Sequence, residues 1–289
     1  MPPPFSLDYF DPPPELARHI LVLYQFASDA PLIEDLQPGA LGQFVLFARG
    51  NGVIRFGERA DCAETIANLF SGFSAAAPFS IEGPWHAIGL SLSPLGWAAL
   101  TGVPASDYID RFFPAAELLG EEATTFGDEL SARYCAGEIT GKEASFAMAD
   151  WVTPRLATIP ALHEKLIEQT IAWLCESLNP DLERLFARLA YSRRQAERLV
   201  ERYFGFPPAA LSRKYRAIRA ASLLAKEYLS DHEEAAIADA FYDQPHMVRE
   251  IRRYCGYTPS RLGGDGQPIL KTLLQMKNFS RLLEFRSAD

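Results

Sequence analysis

Two stretches of the chain carry dense sets of basic and amide side chains at the spacing of a helix. Guanidinium and carboxamide groups have the geometry to bind phosphate oxygens and the edges of base pairs. The chemistry that they predict is therefore binding to duplex DNA, and we predict no catalytic residue and no cofactor. The candidate contact residues are Ser192, Arg193, Arg194, Gln195, Arg198 and Arg202 in the first stretch, and Gln244, His246, Arg249, Arg252 and Arg253 in the second.

The two stretches are copies of each other at an offset of 51 residues. Residues 202–208 (RYFGFPP) are echoed by residues 253–259 (RYCGYTP), and Tyr191 is echoed by Tyr242. A single basic helix face is most simply a solvated surface, whereas two matched faces favour a shared binding role. Two copies are too few for a solenoid, so the repeat predicts a tandem pair of units.

Each copy has the signals of a short helix, a turn and a second, capped helix. Ser192 and Asp243 can cap the second helix of each unit, and Gly205 and Gly256 can end it. Residues 185–190 and 235–240 are long enough for the preceding short helix. The predicted buried stripes are Ala196, Leu199, Val200 and Tyr203 in one unit, and Met247, Ile251 and Tyr254 in the other. A longer joining helix is predicted from Tyr215, Ile218, Ala221, Leu224 and Tyr228.

Residues 182–262 resemble the AraC/XylS family of bacterial transcription regulators. The resemblance is carried by Ser192-x-Arg194-Gln195-x-x-Arg198, Gly205-x-x-Pro208, Arg213-x-x-Arg216-x-x-x-Ala220, Phe241-x-Asp243-Gln244-x-His246-x-x-Arg249-x-x-Arg252 and Gly256-x-Thr258-Pro259. Phe186, Ala190, Ala240 and Pro245 depart from the usual pattern, but each is small, apolar or tolerated in a first helical turn. The resemblance implies promoter binding and contact with RNA polymerase, more often for activation than for repression.

The first 95 residues predict strands. Residues 44–47 and 53–56 are apolar runs around Gly50-Asn51-Gly52, which predicts a hairpin. Residues 87–92 alternate as a half-buried strand does, and residues 17–27 and 78–82 are weaker candidates. Short helices are predicted at 96–101, 105–111, 121–134 and 141–157, and almost only helix from residue 163 onward.

These elements predict an α+β protein in which a small antiparallel β barrel or sandwich with helices precedes an all-α domain of two helix-turn-helix units. The predicted parts are a β-rich sensor domain at 1–120, a helical linker region at 121–177, the DNA-binding domain at 178–262 and an extension at 263–289. By the family resemblance, the β-rich part is a sensor for a small-molecule effector, and it can also supply a homodimer interface.

The charge of the chain is divided between these parts. Residues 1–177 hold 9 Lys and Arg against 23 Asp and Glu, a net charge of −14, whereas residues 178–262 hold 15 against 11, a net charge of +4. Such asymmetry is typical of a nucleic-acid-binding part joined to another domain.

The chain has no apolar run of membrane-spanning length and no signal peptide, so we predict a cytoplasmic protein without a membrane partner.

Other candidate sites are weaker. His19 and His86 lack the companions of a metal site, and the four scattered cysteines form no CxxC pair, so no metal is predicted. The aromatic residues of the β-rich part can form a core or line a ligand cavity of a few hundred cubic ångströms. Two other classes remain open: an enzyme regulated by its helical part, and an interaction protein that has lost DNA binding.

Overall fold

The structure is a computed structural model that describes residues 5–39, 41–226 and 228–262. Its N-terminal part is built on eight antiparallel strands. They are β1 (Phe5–Phe10), β2 (Ile20–Ser28), β3 (Leu32–Gln37), β4 (Gln43–Phe56), β5 (Arg59–Cys62), β6 (Ala67–Phe70), β7 (Ala77–Leu92) and β8 (Phe112–Pro114). The neighbours follow the order β1-β2-β7-β4-β6-β8, with β3 paired to β7 and β5 paired to β4. The predicted α+β class with an antiparallel N-terminal sheet is confirmed, and among the described residues this sheet is open and forms no closed barrel.

The predicted hairpin around Asn51 is wrong, because β4 continues through it as one strand of 14 residues. Both halves of β4 pair with β7, with Phe44 opposite Leu90 and Ile54 opposite Phe79. The Gly-Asn-Gly segment lies in an irregular stretch of the β4–β7 pairing, where the register shifts. The chain reverses instead at Gly57, whose φ of +64° suits the tight turn into β5. The long partner strand decided the outcome, because it offers backbone hydrogen bonds to both halves.

Four helices accompany the sheet: α1 (Pro94–Thr101), α2 (Ala116–Leu119), α3 (Glu121–Cys135) and α4 (Gly141–Val152). Sheet residues such as Phe44, Leu46 and Leu90 share one buried core with Leu130 of α3 and Met148 of α4. This core buries the inner faces of α3 and α4, which lie within the predicted linker region.

Two of the predicted helices are shorter than expected. Residues 105–111 form only a 3-10 turn at Ala105–Tyr108, because the following residues enter β8 and pair with β6. The carboxylate of Asp110 accepts hydrogen bonds from the backbone N–H and the hydroxyl of Ser74, at 2.7 and 2.5 Å. In the 141–157 segment α4 ends at Val152, and a 3-10 turn containing Pro154 follows it.

The C-terminal part is helical throughout the described residues. Its helices are α5 (Ala161–Glu176), α6 (Leu182–Arg188), α7 (Arg193–Phe204), α8 (Pro208–Leu224), α9 (Asp231–Ala240) and α10 (Gln244–Cys255), followed by a 3-10 turn at Pro259–Arg261. The joining helix α8 ends at Leu224, so the placement of Tyr228 on it is wrong; that residue is 81% exposed beyond the helix. Among the described residues, no helix is long and apolar enough to cross a membrane.

Helix α5 packs into the first helix-turn-helix unit. Trp173 is fully buried in a cluster with Leu185 of α6 and Val200 of α7, and its indole N–H donates to the carbonyl oxygen of Asp181 at 2.7 Å. The same cluster includes Leu21 and Leu95 of the N-terminal part. The boundaries at residues 120 and 177 remain predictions, and the extension at 263–289 lies outside the described residues.

Candidate nucleic-acid interface

The first unit consists of α6, a short turn and α7. Ser192 and Gln195 form a capping box at the start of α7, in which the Gln195 side-chain oxygen accepts from the Ser192 backbone N–H at 3.3 Å and from its hydroxyl at 2.9 Å. These contacts use polar groups that a helix start leaves without intrahelical partners. Gly205 ends α7 in the left-handed conformation, with a φ of +82°. The predicted caps and terminator of this helix are therefore confirmed.

The two faces of α7 differ as the sequence pattern predicts. Ala196 and Val200 are fully buried, whereas Arg194 and Arg198 are exposed. No side-chain hydrogen bond or ion pair joins either arginine to another described residue, so both guanidinium groups face solvent. Arg193 differs, because it contacts Glu183 at 2.8 Å and Glu197 at 3.4 Å. Gln195 and Arg193 thus have partners within the protein, and Arg194 and Arg198 are the available cations at the start of this helix.

The second unit, α9 and α10, repeats this plan with a different cap. The Asp243 carboxylate accepts from the His246 backbone N–H at 2.6 Å, and Pro245 lies in the first turn as predicted. Gly256 ends α10 with a φ of +85°. Ile251 and Tyr254 are buried, whereas Gln244, Arg249, Arg252 and Arg253 are exposed. The two units therefore present equivalent basic faces on equivalent helices.

A buried ion pair fixes α10 against α8, and the sequence pattern did not single it out. The Arg216 guanidinium contacts both carboxylate oxygens of Glu250 at 2.8 Å and the Asn179 side-chain oxygen at 2.8 Å. The two charged side chains are only 9% and 11% exposed. The sequence feature that could have indicated this ion pair is Glu250, a single acidic residue between Arg249 and Arg252 on a basic helix.

His246 also takes part in this arrangement. Its Nε2 lies 3.2 Å from Glu250 Oε1, and its Nδ1 accepts from the Tyr242 backbone N–H at 3.4 Å. With Nδ1 as the acceptor, the ring donates through Nε2 to the carboxylate. Both ring nitrogens then have partners within the unit, and the ring holds the start of α10 in place.

The N-terminal part covers the end of α10 that carries the terminal carbonyl groups. The backbone N–H of Gly39 donates to the Tyr254 carbonyl oxygen, and that of Ala76 donates to the Arg253 carbonyl oxygen, both at 2.8 Å. The Tyr257 hydroxyl donates to the Asp35 carboxylate at 2.9 Å, and burial together with this carboxylate raises the pKa of Tyr257 to about 12. The backbone N–H groups of Gly39 and Ala76 satisfy carbonyl groups that a helix end leaves without intrahelical partners.

The same part of the protein contacts both helix-ending glycines. The side chain of Ile109 lies against Gly205 and that of Leu36 lies against Gly256, so a side chain at either glycine would require its neighbour to move. Lys214 of α8 is buried near Asp110 at this junction, and the burial lowers the pKa of Lys214 to about 7. The N-terminal part therefore touches each unit at the end of its second helix, and the starts of those helices stay exposed.

Two helix-turn-helix units, joined by α8 and matched in their caps, define the class of the C-terminal part. Residues 185–263 match the family model described as a helix-turn-helix domain, and this domain is of the AraC type. The resemblance seen in the sequence is thereby confirmed for this part of the chain.

Similar proteins are found among curated sequences and among solved structures. The chain is 34% identical over 123 residues to the HTH-type transcriptional regulator GbdR of two Pseudomonas aeruginosa strains. That match covers 43% of this chain and only 30% of GbdR. Among solved structures, ToxT from Vibrio cholerae O395 is 10% identical, with 89% of this chain and 96% of ToxT covered at a TM-score of 0.43. The AraC-like transcriptional activator CuxR is 13% identical, with 75% and 87% covered at a TM-score of 0.27.

Proposed function

We propose that this protein is a sequence-specific, DNA-binding transcription regulator of the AraC/XylS type that acts by binding, without catalysis. The observation that carries the proposal is the pair of equivalent basic faces on α7 and α10, each beside an exposed helix start. Helices of this kind enter the major groove with their N-terminal residues against base edges. The AraC-type domain at 185–263 supports the same conclusion.

The structure suggests a division of roles within the predicted contact residues. Arg194, Arg198 and Arg249 are exposed cations without a side-chain partner among the described residues, so we assign them to phosphates and base edges. The helix starts use the side chains of Ser192, Gln195 and His246 in hydrogen bonds within the protein. We propose that these residues contact phosphates through backbone groups or, at His246, through the edge of the ring. In this arrangement the two helices enter successive major grooves about 34 Å apart.

The remaining partners are part of the proposal as well. We assign the N-terminal part to effector sensing, because it contains a cavity and also contacts both helix-turn-helix units. Contact with RNA polymerase and formation of a homodimer are further proposed properties of the full-length chain. A cytoplasmic location follows from a role on DNA.

The test is selection of duplexes from a random library by the full-length protein, followed by fluorescence anisotropy on the enriched sequence and on a scrambled duplex. We expect the enriched duplex to bind at least about 1,000-fold more tightly than the scrambled one at physiological salt. Arg133→Ala, a change at an exposed arginine on α3, is the control and should bind as the wild type does. Failure to bind any duplex even at low salt would contradict the proposal.

A further inference from the structure

The β-rich part contains a partly open cavity of about 90 Å³ between its strands. This volume is smaller than the few hundred cubic ångströms predicted from the aromatic content. Several of the predicted aromatic residues form its wall: the Trp85 ring lies 4.4 Å from Phe26, 6.0 Å from Phe47 and 5.9 Å from Phe79, measured between centroids. The aromatic side chains thus serve both as a core and as a cavity lining.

The chemistry of the wall restricts what the cavity can hold. None of its lining residues is charged at neutral pH; its polar members are three aromatic residues and two glutamines. An isolated carboxylate, phosphate or ammonium group would lose its hydration here without gaining an opposite charge, which is costly. The wall therefore selects against ions and favours an uncharged molecule.

Two polar atoms of the wall residues are buried without a hydrogen-bond partner among the described residues, namely the Tyr9 hydroxyl and the Trp85 indole N–H. Buried polar groups in folded proteins almost always have a partner. By contrast, the Tyr24 hydroxyl on the same wall donates to the Gln43 side-chain oxygen at 2.7 Å. An indole N–H can only donate, so its partner must bring an acceptor such as a carbonyl or hydroxyl oxygen.

We propose that this cavity binds a compact, uncharged molecule, about the size of a single ring, whose oxygen accepts hydrogen bonds from Trp85 and Tyr9. The proposal deepens the effector-sensing role and rests on it. The cavity is smaller than the roughly 150 Å³ that holds benzene, so a single ring is the upper limit of what it can hold and fits only if the wall moves outward.

The position of the cavity connects it to the second helix-turn-helix unit. Gln37 lines the cavity at the end of β3, and Leu36, its neighbour on that strand, packs against Gly256. Gly39, two residues after Gln37, donates its backbone N–H to the Tyr254 carbonyl oxygen in the last turn of α10. A ligand that displaces the end of β3 would therefore displace contacts that hold α10.

The experiment is calorimetric titration of the full-length protein with three compounds that share one ring: cyclohexanone, cyclohexane and cyclohexanecarboxylate. We expect cyclohexanone to bind about 5- to 150-fold more tightly than cyclohexane, the range of two hydrogen bonds, and the carboxylate not to bind. The double variant Tyr9→Phe/Trp85→Phe keeps both rings and should lose the preference for the ketone. Trp97→Phe is the matched control, because the indole N–H of Trp97 is also buried without a partner among the described residues but does not line this cavity.

The outcomes separate the cavity from the DNA-binding role, because the titration contains no DNA. Equal binding of all three compounds, binding of the carboxylate alone, or no binding in a folded protein would each overturn the ligand assignment. A preference for the ketone that persists in the double variant would place the ligand elsewhere. Thermal unfolding of each variant confirms that it is folded. Anisotropy on the selected duplex then measures whether cyclohexanone changes the DNA affinity.

Discussion

The Arg216–Glu250 pair gives the sharpest test of how the second unit is held, through the single replacements Arg216→Met and Glu250→Met. Each replacement leaves the opposite charge buried, since the two side chains are 9% and 11% exposed. Removing one partner of a buried ion pair costs about 3–5 kcal/mol of stability. A free energy of unfolding of about 5–15 kcal/mol makes this a large fraction of the total.

The double variant Arg216→Met/Glu250→Met should be far more stable than the two single costs predict. It buries two apolar side chains and leaves no charge behind, a change that is often neutral or stabilising. We therefore expect a coupling energy of at least about 2 kcal/mol in the double-mutant cycle. The comparison pair is Arg133 and Glu138, which are 56% and 62% exposed and 3.8 Å apart. Breaking an exposed pair should cost about 0–1 kcal/mol.

The assay is urea unfolding of the full-length proteins, monitored by fluorescence and by circular dichroism, with thermal scans as a second measure. At about 2–4 °C per kcal/mol for a large domain, each single replacement should lower the Tm by roughly 6–20 °C. Single replacements that cost less than about 1 kcal/mol, or a double variant as unstable as the sum of the singles, would refute the reasoning. Weakened binding of the selected duplex by the single variants would show that the pair also orients α10.

Three further predictions follow from the same structure. Arg198→Ala and Arg249→Ala should each weaken specific DNA binding by about 1–3 kcal/mol with unchanged thermal unfolding, since neither side chain has an ion-pair partner among the described residues; normal binding in a folded variant would exclude the contact. Burial lowers the pKa of Lys214 to about 7 in the folded protein, against an ordinary value of 10.5. Between these two pH values the unfolded protein therefore holds a proton on Lys214 that the folded protein has lost. Wild-type stability should therefore rise relative to Lys214→Met as pH is raised from 7 to 9, and parallel stability curves would contradict this. Finally, a C-terminal fragment that keeps α5 should bind random duplex more tightly than the full-length chain at low salt, because it lacks residues 1–160, which hold 8 Lys and Arg against 20 Asp and Glu, a net charge of −12. Anisotropy should show this difference shrinking as the Debye length falls from about 30 Å at 0.01 M to about 8 Å at 0.15 M, and equal affinities at low salt would argue against repulsion.

The sequence was sufficient to predict the second helix of each unit. Their caps at Ser192 and Asp243, their ends at Gly205 and Gly256 and the burial of Val200 and Ile251 are all as predicted. Each of these features depends on residues within a few positions of one another. A cap bonds to an amide three residues away, and a helical stripe recurs every three to four residues, so local sequence contains the necessary information.

Tertiary structure alone decided which strands pair and which charges meet. The apolar runs around Asn51 suit a hairpin locally, but β7 pairs with both runs and makes one strand of them. Arg216 and Glu250 are 34 residues apart, and nothing in their local spacing predicts that α8 and α10 bring them together. The cavity is also a product of packing, because its wall combines residues from β1 to β8. Contacts between distant segments depend on the folded arrangement of whole elements, which local periodicity and capping do not specify.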